Sequence, residues 1–331
     1  MRQLTVVSGR FGRRLLRLGA VLFLVTVVTA LMVSLLPGDP VEVIIPVGTE
    51  DQRAQLRAEL DLDEPVPVRY ASWLRDFVGG DEDGWPGLGK YYTLTSDRPV
   101  IERVQSALPV SLQLMMYAQA LALLIAIPVG VIAAYRAGGL LDRVVTGTAF
   151  AMLAIPGFAL ALVLSYYLGA RWRLLPATGY VAFGESVGDH IRSMVLPAIS
   201  LAAGQIAVYM RLLRTDMVHT LRENFITLAR AKGLPTRRIL FGYALKPSCL
   251  TLLTVAGLNI GTLIGGAVVI EVIFGLPGMG LLVAQAIGER QYVALQSLVA
   301  VIAVGYVLIN TAVDLLYGVL DPRVRHARST R

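Results

Sequence analysis

Long uncharged stretches alternate with polar ones along the chain, and this alternation predicts an all-α membrane protein. Six stretches are apolar and almost free of charge: residues 18–36, 104–135, 144–170, 193–210, 247–270 and 295–316. A helix of about 19 residues rises about 28 Å, close to the hydrocarbon thickness of a bilayer. We therefore predict a polytopic membrane protein with six transmembrane helices. Pro156 and Gly157 predict a break inside the third span.

The longest polar stretch, residues 38–103, follows the first predicted span and is rich in acidic residues. This composition predicts a soluble insert outside the membrane. Within it, residues 56–78 predict a helix, a break that contains proline, and a second, amphipathic helix. We expect three parts: residues 1–105 with a signal-anchor helix and the insert, a membrane core at 106–320, and a tail at 321–331.

A basic segment, residues 225–246 and called the basic turn below, separates the fourth and fifth predicted spans. Its charges predict a position at the membrane surface. Helix-forming residues lead to Gly233, which suits the left-handed position that ends a helix, and Pro235 suits the first position of a second helix. Pro247 disfavours helical geometry at Lys246 and predicts the next boundary. From residue types alone, a plain basic loop is an equally good interpretation.

The basic residues predict the orientation of the spans. Most of the 30 lysines and arginines lie before residue 18, at 136–143, at 211–246 or after residue 321. By the positive-inside rule, these segments and both termini face the cytoplasm. A cleaved signal peptide is the rival interpretation of the first stretch, but the apolar run is long for that role and no A-x-A site precedes Pro37.

Composition supports the membrane assignment and limits the other functions. Hydrophobic residues make up 55% of the chain and charged residues 16%, against about 25% in soluble domains; the mean hydropathy is +0.64. The net charge of +7 does not indicate nucleic-acid binding, because the arginines cluster beside apolar spans. The single cysteine, Cys249, excludes an internal disulfide.

The sequence carries no clustered metal ligands and no motif of nucleophilic catalysis. The three histidines, His190, His219 and His326, lie outside the predicted spans and form no H-E-x-x-H motif. Residues 84–90 match G-x-x-x-x-G-K, but Tyr91 stands where a P-loop has Ser or Thr, and no apolar strand leads into the match. We therefore expect neither an enzyme activity nor a bound metal.

Short motifs along the chain resemble one family. They are ARAKGL at 229–234, LLPGDP at 35–40, GGAVVIEVIFGLPGMG at 265–280 and DPRVR at 321–325. These motifs are similar to those of bacterial ABC importer permeases, and the chain most resembles the first permease subunit of the dipeptide, oligopeptide and nickel group. The resemblance covers nearly the whole chain and implies a type I ABC importer permease core. The chain departs from the family pattern at Leu228, Tyr243, Pro247 and Thr251, where the family usually has Thr, His, Asn and Pro.

The resemblance implies that the basic turn is the coupling helix that docks into a groove of a separate ATPase subunit. The coupling residues are then Ala229, Arg230, Ala231, Lys232, Gly233 and Leu234. ATP and Mg²⁺ are used by the ATPase subunits, so this chain is expected to bind no cofactor and to carry no catalytic residue.

The resemblance also implies that the fifth span lies along the translocation path. Gly257, Gly261 and Gly265 are four apart and are predicted to share one helix face. Tight packing within the chain and a face toward a partner permease or the substrate are both open. Asn259 is a path residue or a tie between two helices, and Glu271 attracts a peptide amino terminus or lies among headgroups. The predicted path residues are Asn259, Gly261, Gly265, Gly266 and Glu271.

As a permease of this kind, the chain is expected in the bacterial cytoplasmic membrane, in a complex with a second homologous permease, ATPase subunits and an extracytoplasmic substrate-binding protein. The expected activity is ATP-driven import of dipeptides or oligopeptides by alternating access. Nickel chelates or haem are alternative cargoes of the same permease type. A stand-alone channel or secondary carrier, and a membrane anchor without transport, are the alternatives from other classes.

Overall fold

The computed structural model describes residues 19–35, 38–80, 86–93 and 97–320, with side chains up to residue 313, and it is almost entirely helical. The helices are α1 Gly19–Ser34, α2 Pro40–Ile44, α3 Glu50–Glu59, α4 Val66–Gly79, α5 Val100–Tyr135, α6 Leu140–Ala154, α7 Gly157–Leu164, α8 Val187–Thr220, α9 Asn224–Ala231, α10 Thr236–Arg238, α11 Leu245–Leu258, α12 Ile260–Phe274, α13 Met279–Gly288 and α14 Tyr292–Leu320. π-Helical turns at Ser165–Arg171 and Ile239–Ala244 continue α7 and α10. Strands β1 Lys90–Tyr91 and β2 Arg98–Pro99 pair antiparallel.

Helix length and composition allow up to six membrane crossings within the described residues. This is the predicted number, but α1 is not among the six, and α12 with α13 forms a crossing that was not predicted as a separate span. Four single helical segments are long and apolar enough: α5, Thr236–Leu258, α8 and Tyr292–Val313. Two bent pairs supply the others, α6 with Gly157–Arg171 at 96° and α12 with α13 at 71°. The first of these bends lies at Pro156 and Gly157, so the predicted break in the third span is confirmed.

Two of the predicted spans, the fifth and the first, are not the single full-length helices that the sequence predicts. The predicted fifth span, 247–270, is wrong as a single helix, because α11 and α12 are interrupted at Asn259. Asn259 has φ −76° and ψ −9°, a conformation off the ideal helix. In the N-terminal stretch, α1 is shorter than a full span, and the residues before Gly19 lie outside the described residues, as does the predicted tail at 321–331.

The described residues form two compact units. One contains the residues up to Val110 together with Pro277–Leu308, and the other contains Ser111–Leu276 together with the residues from Ile309 onward. The predicted division in chain order did not anticipate that residues 277–308 group with the N-terminal part.

The first unit contains the polar insert, whose helices form as the sequence predicts. Thr49 and Gln52 form a capping box at the start of α3, and Pro65 precedes α4. Trp73 on α4 is buried, and its indole Nε1 donates to Ser297 Oγ on α14 at 2.9 Å. Tyr91 on β1 donates its hydroxyl hydrogen to Glu289 at 2.6 Å. These bonds fix α4 and the strand pair against the α13–α14 region.

The second unit is built around α8, which packs against α6, α7, α11 and α12. Its core is rich in small side chains, including Ala118 and Ala122 on α5 and Ala202 and Ala207 on α8. A methyl group at Gly130 would come within 3.2 Å of the Met210 carbonyl oxygen, so the backbones of α5 and α8 pass close together. Small residues at such contacts are typical of helix packing in membranes.

Candidate functional site

The basic turn forms a helix, a stop and a second helix, as predicted. Helix α9 ends at Ala231, and Gly233 takes the left-handed conformation with φ +75°. The amide of Gly233 donates to the Arg230 carbonyl at 2.9 Å, and the amide of Leu234 donates to the Ala229 carbonyl at 3.3 Å. This pair of bonds is a Schellman motif, in which two otherwise unsatisfied carbonyls find donors. Pro235 then occupies the N-cap position of α10, one residue before the predicted place.

One side of α9 is anchored in the core of the second unit. Ile226 is fully buried and Ala229 is 4% exposed, and both belong to a cluster that includes Met217 on α8 and Ile239 in the following π-helical turn. Leu234 packs against the same cluster. Because residues three apart lie on one face of a helix, this pair holds α9 against the π-helical turn and in the cluster that also contains Met217.

The opposite side of α9 faces outward and is both apolar and basic. Phe225 is 45% exposed and Leu228 is 57% exposed. Arg230 and Lys232 are also exposed, and no salt bridge involves either in the described part of the chain. Phe225, Leu228, Arg230 and Lys232 are called the outer face of α9 below. Large apolar side chains on an exposed, rigidly held helix are typical of a protein-binding surface.

The six predicted coupling residues therefore separate into two groups. Arg230, Ala231, Lys232 and Gly233 are exposed, whereas Ala229 is buried and Leu234 is partly buried. Sequence reasoning missed Phe225 and Leu228 as surface residues. The signal was present, since Phe225 and Leu228 are spaced three apart and offset by one residue from Ile226 and Ala229.

The boundary predicted at Pro247 is wrong. Helical structure is continuous from Thr236 through the π-helical turn to Leu258, and Pro247 is the third residue of α11. The wider π-helical turn changes the hydrogen-bonding register just before the proline, whose missing N–H then falls in the first turn of α11. Ser248 is buried there and lies 3.1 Å from the Thr220 hydroxyl. This contact joins the end of α8 to the start of α11.

An ion pair with a buried carboxylate joins the start of α6 to α8. Arg214 on α8 donates through Nε to Asp142 Oδ1 at 3.0 Å and through Nη2 to Oδ2 at 2.7 Å. The amide of Gly138, which has φ +84°, also donates to Oδ2, at 2.8 Å. Asp142 is only 4% exposed, and this bidentate geometry is the strong form of such a pair. The sequence analysis treated residues 136–143 only as a basic turn.

Asn259 lies in a small polar cluster between α8 and α12. Its Nδ2 donates to Gln205 Oε1 at 3.1 Å, and Gln205 Nε2 donates to the Thr262 hydroxyl at 2.9 Å. Of its two predicted roles, a tie between two helices is the one seen in this arrangement. Gln205 and Thr262 also line a cleft of about 370 Å³ beside the break between α6 and α7.

The glycines of α11 and α12 have different surroundings. At Gly257 an added Cβ would lie 2.5 Å from Cγ1 of Val313 on α14, so this glycine serves close packing. Gly266 lines the cleft, and a Cβ there would lie 2.8 Å from Leu201 Cδ1. Gly265 is exposed with open space around it, and Gly261 is half-buried. Since α11 and α12 are separate helices, the spacing of four does not by itself place Gly257 on one face with Gly261 and Gly265.

Glu271 is fully buried in the second unit. Its Oε1 accepts a hydrogen bond from Ser111 Oγ at 2.6 Å. The interpretation that placed this side chain among headgroups is therefore wrong in this conformation. A contact with a substrate amino group stays a prediction.

Two of the three histidines lie near the ends of α8. Helix α8 has 34 residues, more than the predicted fourth span, so His190 and His219 fall within its two ends. His190 is fully buried, with Nδ1 2.8 Å from the Val181 carbonyl oxygen and Nε2 3.0 Å from the Tyr117 hydroxyl. Among the described residues, no three His, Cys, Asp or Glu side chains are grouped to hold a metal ion.

Comparison with known proteins identifies the family. Residues 126–326 match the model of the binding-protein-dependent transport system inner membrane component, and residues 10–115 match the N-terminal model of the same membrane components. The chain belongs to this family of transport-system membrane components. The resemblance to importer permeases is thus confirmed, and the chain is a multi-pass inner membrane protein.

Two relatives of the family show how far the similarity extends. A protein of Sinorhizobium fredii, named as a probable peptide ABC transporter permease, is 34% identical over 315 residues, which cover 95% of this chain and 98% of the relative. The dipeptide transport system permease protein of Escherichia coli is 34% identical over 329 residues, covering 92% of this chain and 95% of the relative. The similarity includes both the insert and the helical core.

Proposed function

We propose that this chain is a permease subunit of an ATP-driven importer of dipeptides or oligopeptides. Family membership supports a transport role, and the names of the two relatives support peptides as the cargo. Substrate crosses the cytoplasmic membrane by alternating access, with both termini of the chain in the cytoplasm. Nickel chelates and haem are the cargoes that a substrate screen must exclude.

The observation that carries this proposal is the two-sided arrangement of α9. Ile226 and Ala229 hold the helix in the core, while Phe225 and Leu228 on its outer face are about half exposed. An ATPase subunit covers the outer face, and acidic side chains on that subunit meet Arg230 and Lys232. Burial of the two apolar side chains supplies affinity, and the charges supply orientation.

The anchored side of α9 gives a mechanical route for coupling. ATP and Mg²⁺ bind to the ATPase subunits, whose closure displaces α9. Because Ile226 packs in one cluster with Met217 on α8 and Ile239 after α10, α9 cannot move without these neighbours. The displacement therefore reaches α8 and α11, which are also joined through Thr220 and Ser248.

The substrate path requires a second surface and a second chain. The cleft beside the α6–α7 break has mostly apolar lining with the polar residues Ser200, Gln205 and Thr262, and Gly265 on α12 is exposed nearby in sequence. A second, homologous permease encloses the path with this chain. An extracytoplasmic substrate-binding protein delivers the cargo to the outer side.

Site-specific cross-linking tests the coupling assignment. Lys232→Cys, in cells that express the whole transport system, is expected to form a cross-link with an ATPase subunit, because this side chain is exposed at the end of α9. Arg75→Cys, an exposed site in the insert, is the matched control and is expected to give no such cross-link. Equal capture at both sites, or capture at neither, would refute the proposal.

A further inference from the structure

A pocket of about 260 Å³ lies entirely within the first unit, and none of the residues assigned to coupling or to the path lines it. Helix α4 contributes Tyr70 and Trp73 to its lining, the segment before and after β1 contributes Gly89 and Tyr92, and α14 contributes Gln296. Pockets for drug-sized ligands span about 300–1,000 Å³, so this one suits a smaller molecule.

An unsatisfied donor lies in the wall of this pocket. Gln296 is 8% exposed, and its Nε2 atom has no hydrogen-bond partner among the residues that the structure describes. A buried amide without a partner costs about 1–3 kcal/mol. A ligand oxygen, such as a carboxylate or a carbonyl, would satisfy it.

The pocket also carries charges of both signs. Arg69 and Lys90 line it, as do Glu59 and Asp61, and none of the four has an ion-pair partner within 4 Å in the described ranges. Burial raises the pKa of Tyr92 above its usual range, with the nearby Glu59 adding to the shift. The Tyr92 hydroxyl therefore stays neutral and donates a hydrogen bond to the Glu59 carboxylate, which holds that acid in the pocket wall.

The walls of the pocket are fixed by packing and hydrogen bonds. Trp73 is held by Ser297, and the backbone of Tyr92 exchanges hydrogen bonds with the Gln291 side chain at 3.0 and 2.6 Å. Gly89 has φ +72°, and a Cβ there would lie 2.6 Å from Cγ1 of Val293 on α14. The absence of a side chain lets this loop close against α14, so the pocket is largely preformed and little entropy is lost on binding.

We propose that this pocket binds a zwitterionic amino compound of one or two residues, such as a dipeptide. The ligand carboxylate accepts from Gln296 Nε2 and faces Arg69 and Lys90, and its ammonium group faces Glu59 and Asp61. The ring of Trp73 covers the short apolar part between the two charges. The proposal rests on the proposed peptide transport for the source of the ligand and adds a receiving site on the permease itself.

Equilibrium binding tests the proposal without any transport assay. The full-length chain in phosphatidylglycerol nanodiscs, with no substrate-binding protein present, is titrated with radiolabelled Ala-Ala dipeptide. Saturable binding is expected, and Gln296→Leu is expected to weaken it about tenfold or more, the usual loss for a hydrogen bond to a charged group. Gln285→Leu, a matched change at an exposed glutamine on α13, is expected to bind like the wild type.

Further ligands and variants separate the possible outcomes. Ala-Ala amide and N-acetyl-Ala-Ala each lack one charge and are expected to bind at least tenfold more weakly than the dipeptide. Lys90→Gln, at the partly exposed side of the pocket, is expected to weaken the dipeptide selectively and to leave the amide unchanged. An absence of saturable binding, equal binding by Gln296→Leu and Gln285→Leu, or tighter binding of phosphoethanolamine, which would indicate a lipid headgroup, overturns the proposal. None of these results alters the cross-linking outcome at Lys232.

Discussion

Arg214 and Asp142 form a bidentate ion pair, with Nε and Nη2 of the guanidinium 3.0 and 2.7 Å from the two carboxylate oxygens. The two partners are not equally buried, since the Asp142 side chain is 6% exposed and the Arg214 side chain is 31% exposed. Loss of the arginine therefore leaves a buried carboxylate, whereas loss of the carboxylate leaves a cation that water already reaches in part. The pair connects the start of α6 with α8. Arg214 lies six residues before Thr220, the last residue of the helix that leads to the basic turn.

We predict that Arg214→Met lowers the stability of the chain more than Asp142→Asn does. Removal of one partner from a buried pair costs about 3–5 kcal/mol, and the partial exposure of Arg214 places the expected loss near the lower end. Asn at position 142 still accepts from the Gly138 amide, so a loss of about 1 kcal/mol is expected. Thermal unfolding in detergent measures both. The double variant is expected to recover part of the loss, and an Arg214→Met protein as stable as the wild type would contradict the prediction.

The two sides of α9 predict opposite effects of the same substitution. Leu228→Asp changes an exposed side chain and is expected to alter the stability by only about 0.5 kcal/mol, while binding to the ATPase subunits and ATPase-coupled uptake fall at least tenfold. Ile226→Asp places a carboxylate in the core and is expected to prevent folding, since such changes exceed about 4 kcal/mol. Co-purification with the ATPase and thermal unfolding separate the two effects. Normal uptake by Leu228→Asp would exclude the outer face as the docking surface.

Gly233 is predicted to tolerate Asn better than Val. Its φ of +75° is costly for residues with a side chain, by about 1–2 kcal/mol, and Asn is among the residues that adopt this conformation most readily. No atom lies within 4 Å of the added Cβ, so a steric clash is not the cause. Gly233→Val is expected to reduce transport-coupled ATP hydrolysis in proteoliposomes severely, and Gly233→Asn only slightly. Gly79→Val, at an uncrowded glycine in α4, is the control; a coupled rate in Gly233→Val equal to that of the control counts against the coupling role.

Substitutions at Gly257 and Gly265 are predicted to affect different properties, stability at the first and uptake at the second. Gly257→Ala forces a methyl group to 2.5 Å from Val313, and such overpacking is expected to cost about 1–3 kcal/mol. Val313→Ala in the same chain is expected to restore most of the loss. Gly265→Leu meets open space and is expected to leave the unfolding temperature unchanged. It is expected to lower uptake, because we propose that α12 faces a partner or the substrate there. Unchanged uptake with Gly265→Leu would remove this residue from the path.

The sequence predicted the order of helix, stop and second helix in the basic turn well, because the backbone preferences of glycine and proline determine it. Gly233 and Pro235 have few alternatives in conformation, and they end and start helices where expected, within one residue. The effect of Pro247 was not predictable in the same way. A π-helical turn upstream accommodates this proline, and such turns have no strong sequence signal.

Burial inside the bundle was the part that the sequence predicted least. Uncharged spans are apolar on every side, so periodicity does not show which face meets another helix and which meets lipid. The burial of Glu271 against Ser111 and the pairing of Asp142 with Arg214 join residues that are 160 and 72 positions apart. Contacts of that range depend on tertiary packing. The break at Asn259 belongs to the same class, because its polar partners lie on another helix.

With an ATPase subunit on the outer face, as proposed, the eight residues of α9 contact two neighbours at once, and this limits how the segment can change during evolution. Insertion or deletion of one residue before Ile226 would rotate the following residues by about 100° and move Ile226 and Ala229 away from their inward positions. Drift at Phe225 and Leu228 is then constrained by a separate gene product, whereas drift at Ile226 and Ala229 is constrained by this polypeptide alone. Related permeases that work with different ATPase subunits are expected to differ at Phe225 and Leu228. They are expected to agree at Ile226 and Ala229.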